Sequence, residues 1–399
     1  MTLDGTRVSR ATWAGDGKPR VSGRDFAAHE VRHAYDKEVR KQMAAGFVFL
    51  RAEADAVPGQ LVLDCLAPGG GASDAFDLRP DGGEIAVGVT LKDAYGAEIH
   101  LIDVATGGRR LVHAEPVGAG RTFTVVHAVR YDADGTGLVY ALNGETRRLD
   151  LESGATSVLA AYEQWKSASF NPYCVRPMWD DARRRLLVFD AGDMVRVLDA
   201  DGSVRLEVRT KADTTECRAG ALSPSGRLLA LYRPSRGVVY RHSDAVHDAT
   251  NEIEVWDVAA GRLAARVAVP APLREKQLHE IGFDPTESLI VANPDPVQGP
   301  CALSIDTGEL AWHFPDARQA DHWGTCFTWA YGPSGGPLAI GRWHDDAVDL
   351  RDPATHEPWP GTLERLERHR VKRIAFSRDG RLMAAGGDGG RLTLRKIAV

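Results

Sequence analysis

The chain has 399 residues, 43% of them hydrophobic and 26% charged, with a formal net charge of −6. These are ordinary values for a soluble globular protein with a large core, and they argue against the broad basic surface that nucleic-acid binding draws on. Residues 1–20 lack the apolar run of a secretory leader, and no stretch approaches the ~18 uninterrupted apolar residues of a membrane span; a cytoplasmic protein with no membrane partner is the expectation.

Read in chain order, residues 1–21 are polar, rich in glycine and charge, and read as mobile. Ser22-Gly23-Arg24-Asp25 resembles a weak capping box. From Arg24 to Ala45 the pattern is helical, with Phe26, Val31, Tyr35, Val39 and Met43 near one face and Gly46 as a natural stop. That stripe is suited to packing on the flank of the main domain, or to gripping a partner or a second copy. Phe47-Val48-Phe49-Leu50 reads as a strand or a buried plug. The division is therefore a flexible segment and helix over 1–46 and a main domain over 47–399.

The main domain is built from a repeated phrase, most complete in Ile374-Ala375-Phe376-Ser377-Arg378-Asp379-Gly380-Arg381-Leu382-Met383-Ala384. A short apolar strand, an Asp-Gly turn and a second apolar strand make a hairpin, because glycine accepts the positive φ such turns need. Copies stand at Ala75 to Gly88, Val129 to Tyr140, Ala221 to Ala230 and Tyr331 to Gly341. Two more, Met178 to Val188 and Ile281 to Val291, have lost the glycine. Each copy is followed by a third strand, usually ending in an acidic turn, as in Ile253-Glu254-Val255-Trp256-Asp257, and most then have a fourth apolar run such as Leu263 to Val269. Seven units of four short strands predict an all-β, seven-bladed β-propeller with four-stranded antiparallel blades and an N-terminal helical extension. The last unit runs out after three strands. Gln60-Leu61-Val62-Leu63-Asp64-Cys65-Leu66 fits as its missing fourth, so the ring is expected to close through an N-terminal strand near 60–66. Removing residues 1–70 is then expected to bare a sheet edge and cause aggregation.

The Phe376-Ser377-x-Asp379-Gly380-x-Leu382 phrase and the Trp256-Asp257 pair resemble the WD-repeat family over roughly residues 60 to 399. That resemblance implies a scaffold that binds a protein partner on one face of the ring. Only one unit keeps Trp-Asp, so the family's His–Ser/Thr–Asp–Trp network is not carried over as a whole.

In such a ring, the loops joining fourth to first strands and second to third strands share one face, and long loops in compact domains are often functional. Blades two and three have minimal second-to-third links at Asn143-Gly144 and Ala191-Gly192. Blade four has a long one from Arg233 to Asn251, with Tyr240, Arg241 and His242, and blade five has Asn293 to Gly299. In blade six, Asp321-His322-Trp323 precedes the first strand and Arg342-Trp343-His344-Asp345-Asp346 follows the second. Trp, Tyr and Arg most often anchor interfaces, so Tyr240, Arg241, His242, Trp323, Arg342, Trp343 and His344 are the candidate binding face. Structural roles compete with this: His322 as the family's structural histidine, and Trp343 as cover for a neighbouring blade.

No cofactor or metal is expected. His242, His247 and Asp248, or His344, Asp345 and Asp346, offer ligands, but at loop spacings without a helix to align them. The five cysteines, Cys65, Cys174, Cys217, Cys301 and Cys326, are far apart and read as buried reduced thiols. There is no Gly-x-Ser-x-Gly elbow and no phosphate loop. The alternative is a lactonase- or hydrolase-like propeller enzyme with a metal or polar site at the channel mouth, where His127, His279 and Glu280 would stand.

Overall fold

The computed structural model describes the chain outside residues 1, 13–19, 69–74, 92–95, 117–123, 143, 162–176, 191–193, 210–218, 234–251, 271–277, 295–299, 314–327, 342–347, 361–362, 364–370, 388–389 and 398–399. Its strands form a seven-bladed propeller. Blade 1 holds β6 (Phe76–Leu78), β7 (Glu84–Thr90), β8 (Ala97–Asp103) and β9 (Arg109–Glu115). Blade 2 holds β10 (Ala128–Tyr131), β11 (Gly137–Leu142), β12 (Glu145–Asp150) and β13 (Thr156–Ala161). Blade 3 holds β14 (Met178–Trp179), β15 (Arg185–Asp190), β16 (Met194–Asp199) and β17 (Val204–Arg209). Blade 4 holds β18 (Ala219–Leu222), β19 (Leu228–Arg233), β20 (Glu252–Asp257) and β21 (Arg262–Ala268). Blade 5 holds β22 (Leu278–Phe283), β23 (Leu289–Pro294), β24 (Cys301–Ser304) and β25 (Leu310–His313). Blade 6 has three strands among the described residues, β26 (Thr328–Tyr331), β27 (Leu338–Gly341) and β28 (Val348–Arg351). At the place of its fourth strand, Pro358 bridges Arg351 and the Trp359 amide donates to Leu350.

Blade 7 closes the ring. Its β29 (Val371–Phe376), β30 (Leu382–Gly387) and β31 (Arg391–Lys396) are followed in the sheet by β5 (Leu61–Leu66) and then β4 (Phe49–Leu50). β5 runs antiparallel to β31, with Leu63 opposite Leu394 and Asp64 opposite Thr393. Across this seam Arg391 grips Asp64 through both nitrogens of its fork, Nε–Oδ1 at 2.7 Å, with both side chains buried.

The second strand of each blade is covered on both faces by neighbouring blades, which is why these strands are nearly continuous apolar runs. Every residue of β11 and β30 is buried. Small residues set the spacing: a Cβ on Gly282 of blade 5 would lie 2.2 Å from the Trp329 ring of blade 6. The fourth strands of blades 1 to 5 face solvent, while that of blade 7, β5, is buried beneath β4; in all six of these blades the fourth strand carries a one-residue bulge against the third, for example between Ile99 and His100 and between Val197 and Leu198. Bulges on edge strands discourage edge-to-edge pairing.

The N-terminus departs from the sequence expectation. Instead of a mobile polar segment, β1 (Thr2–Asp4), β2 (Arg7–Thr12) and β3 (Arg20–Asp25) form an antiparallel sheet. Because Arg20 to Asp25 are paired as a strand, the helix α1 starts later than Arg24, spanning Val31–Ala44, and its N-cap, Glu30, makes no side-chain capping bond. The helix buries Val31 and Met43 and half-buries Tyr35 and Val39, so the chain itself covers much of the apolar stripe. Phe47–Leu50 is no buried plug: Phe47 is 59% exposed, and β4 is the outer edge of blade 7.

Candidate protein-interaction face and the channel beneath it

The two ends of the ring differ in how their strands are joined. First and second strands are linked by tight turns, such as Leu78 to Glu84 and Phe283 to Leu289; third and fourth strands are linked as tightly, as in Asp257 to Arg262. These turns are held by their own acceptors. Asp284 takes amide bonds from Ser288 and Leu289 at 2.9 and 2.7 Å, and the Ser377 hydroxyl takes Leu382 at 3.0 Å. The opposite end has connections from Ala161 to Met178, His313 to Thr328 and Arg233 to Glu252.

The connections that contain the seven candidate residues depart from strand ends on that opposite side. Tyr240, Arg241 and His242 lie between β19 and β20, Trp323 between β25 and β26, and Arg342, Trp343 and His344 between β27 and β28. All seven lie outside the described residues, as do Asp345, Asp346, His247, Asp248 and His322. The bracketing strands are in place: Arg233 pairs with Glu252, and Gly341 with Val348, at the mouths of their connections.

Beneath that end, blades 1 and 2 are joined by a polar network. Glu115, the last residue of β9, accepts from His113 at 2.8 Å, from the Tyr140 hydroxyl at 2.8 Å and from Arg147 at 2.9 Å, while Arg147 also bonds Glu145 at 2.6 Å. Burial alone would raise the Glu115 carboxyl, but the His113 and Tyr140 bonds and the Arg147 charge hold it below its ordinary range. The network fixes the platform from which the loops on that side depart.

Near the axis a second network was not visible in the sequence. Asp77 of β6 is 4% exposed and accepts the Tyr131 amide of blade 2 at 2.9 Å. Arg183, from the first turn of blade 3, reaches the same carboxylate oxygen at 2.8 Å and also donates to the Tyr131 carbonyl. Arg373 of blade 7 donates to the Phe76 carbonyl at 2.7 Å and lies 3.9 Å from Asp77. Burial would raise the Asp77 carboxyl, but Arg183, Arg130 and Arg373 hold it well below the ordinary carboxylate range. The corresponding inner positions of blades 4, 5 and 6 are the small residues Ala221, Gly282 and Ala330. The charged network therefore belongs to one side of the axis.

The one signal available was the lost glycine. Gly226 in the blade 4 turn has φ +70°, whereas the equivalent residues of blades 3 and 5 are Arg183 at +53° and Glu287 at +58°. A branched-off side chain in the left-handed region costs about 1 kcal/mol or more. At both places the side chain is used: Arg183 on Asp77, and Glu287 on the Ser225 amide of blade 4 at 2.7 Å.

Trp256 and Asp257 do not form the family's full network among the described residues. The Trp256 indole donates to Glu254 on its own strand at 3.1 Å, and Asp257 caps the following turn through the Ala260 amide at 2.8 Å. Of the channel-mouth residues, His127 is half-buried with its amide on Ala141, Glu280 is half-buried opposite Asn293, and the His279 side chain lies outside the described residues. Among the described residues no group of three or more His, Cys, Asp or Glu is placed to hold a metal ion, and no helix is long and apolar enough to cross a membrane.

The fold and this end-to-end asymmetry define a seven-bladed propeller. The chain is similar to a chain in the crystal structure of the mitotic checkpoint complex, at 14% identity, covering 86% of this chain and 94% of that one with a TM-score of 0.58. At that identity the likeness is one of fold. No family model matches the chain, and no curated protein matches its sequence. Since 1519 solved chains match this one in structure, the likeness by itself selects no function.

Proposed function

We propose that the chain is a divergent WD-repeat-type propeller that works as a non-enzymatic scaffold in the cytoplasm, binding a protein partner through the end that carries the long connections. The supporting observation is the asymmetry of the ring: one end is closed by tight, self-capped turns, and the other bears the 18-residue span between Arg233 and Glu252 and the comparable links into β14 and β26. Loops on a rigid scaffold are where binding residues concentrate. Tyr240, Arg241, Trp323, Arg342 and Trp343 supply the side-chain types that anchor interfaces, with His242 and His344 beside them. The likeness in fold to a chain of the mitotic checkpoint complex agrees with this reading. Cys65 and Cys301 are buried free thiols, in keeping with a reducing compartment.

The test is to capture a partner with the wild-type chain, purify it, and measure its Kd for Arg241→Ala, Trp343→Ala and a control on the tight-turn end, Asp201→Ala. Loss of about tenfold or more in the first two, with an unchanged melting temperature and an unaffected control, is expected. Equal binding by both variants, or loss in the control alone, would overturn the assignment.

A further inference from the structure

At the tight-turn end, the turn of blade 4 is enclosed by carboxylates from both neighbours. Asp180 of blade 3 is 2% exposed. Its Oδ1 accepts the Arg184 amide at 2.6 Å and the Arg185 amide at 3.2 Å. Its Oδ2 is buried without a hydrogen-bond donor among the described residues. That oxygen is pressed on blade 4: a Cβ added to Gly226 would lie 2.6 Å from it. Asp181 follows, an exposed residue with its amide on the Pro224 carbonyl at 3.1 Å. From the other side Glu287 bonds the Ser225 amide at 2.7 Å and Arg227 at 3.3 Å. The cations facing this group are Arg183, Arg184, Arg185 and Arg227. Of these Arg185 is committed to the Gly226 carbonyl at 2.6 Å, with Asp199 at 3.9 Å.

We propose that this seam between blades 3, 4 and 5 is a proton-sensitive joint, in which Asp180 and Asp181 bind a proton and hold blade 4 more firmly in the protonated form. A carboxylate oxygen buried without a donor is costly while charged and much less so when neutral, and like charges nearby add to that cost. Both groups move the expected way. Burial raises the Asp180 carboxyl against its two amide bonds; at the more exposed Asp181, partial loss of water, then the Asp180 and Glu287 charges, push the carboxyl up to about 6 against Arg183. With the folded value above the unfolded one, the stabilisation is full below the ordinary aspartate range. It is lost as pH rises through about 6. The fold's tight-turn end is then stiffer in mildly acid conditions than at neutrality, whatever binds the opposite face.

Two measurements on the full chain, with no partner present, test this apart from the proposed scaffold role. In the wild type labelled with carbon-13 at aspartate carboxyls, the Asp180 or Asp181 resonance, assigned by its loss in Asp180→Asn or Asp181→Asn, is expected to titrate at least one pH unit above free aspartate. Titration of both at or below the ordinary aspartate value would overturn the proposal. In melts from pH 4 to 7.5, Asp181→Asn is expected to exceed the wild type by about 1–3 °C at pH 7.5 and to match it near pH 4. A difference of the same size at every pH, or a less stable variant at pH 7.5, would also overturn it.

Discussion

Arg183, in a turn of blade 3, donates to Asp77 of blade 1 at 2.8 Å, so two blades that are not neighbours in the ring are tied directly near its axis. The Tyr131 amide and carbonyl of the intervening blade join the same knot. A left-handed backbone at Arg183 is tolerated because the side chain it aims completes this contact.

Arg183→Ala is therefore expected to destabilise the propeller by about 2–4 kcal/mol, since it leaves the buried Asp77 short of its closest cation. Arg183→Gly relieves the backbone and recovers about 1 kcal/mol of that loss. Urea unfolding of the two variants beside the wild type checks both the size and the order.

The same carboxylate sets a dependence on acid. Asp77 is held below its ordinary range, so its contribution is present above the unfolded aspartate value and is lost as pH falls through the folded one. Stability of the wild type is expected to fall between about pH 4 and the folded value, and Asp77→Asn to flatten that limb while lowering stability at pH 7. Urea midpoints from pH 7 to pH 3 report both effects.

Much of the fold was legible in the sequence because the hairpin phrase is local: Ser377-Arg378-Asp379-Gly380 and its relatives encode a turn within a few residues. The N-terminal sheet was not legible, since Arg7 to Thr12 and Arg20 to Asp25 are polar strands without an alternating apolar face. The Asp77–Arg183 tie joins residues 106 positions apart, and no periodicity reports such a contact. The lost glycine at Arg183 marked the place without naming its partner. For the binding face, the sequence supplied residue types and the topology supplied only the end of the ring from which their loops depart.

The ring closure makes a further prediction. Arg391 and Asp64 are buried against each other across the seam, so Arg391→Ala is expected to cost about 3–5 kcal/mol by leaving Asp64 unpaired. Replacing both by leucine is expected to restore most of the loss. A double-mutant cycle measured by thermal unfolding gives the coupling.

Between blades 5 and 6, Gly282 admits the Trp329 ring at a distance no Cβ tolerates. Gly282→Ala is expected to cost about 1–3 kcal/mol by overpacking and to change the tryptophan emission of the folded protein. Fluorescence-detected unfolding reads both.

The most direct test of the scaffold reading is a hydrogen-exchange footprint of the full chain with and without its captured and purified partner. Slowed exchange is expected in the connections between β19 and β20, β25 and β26, and β27 and β28, with the tight turns at Gly82, Gly135 and Gly380 unchanged. Protection confined to those tight turns, or to the outer strands of the blades, would contradict it.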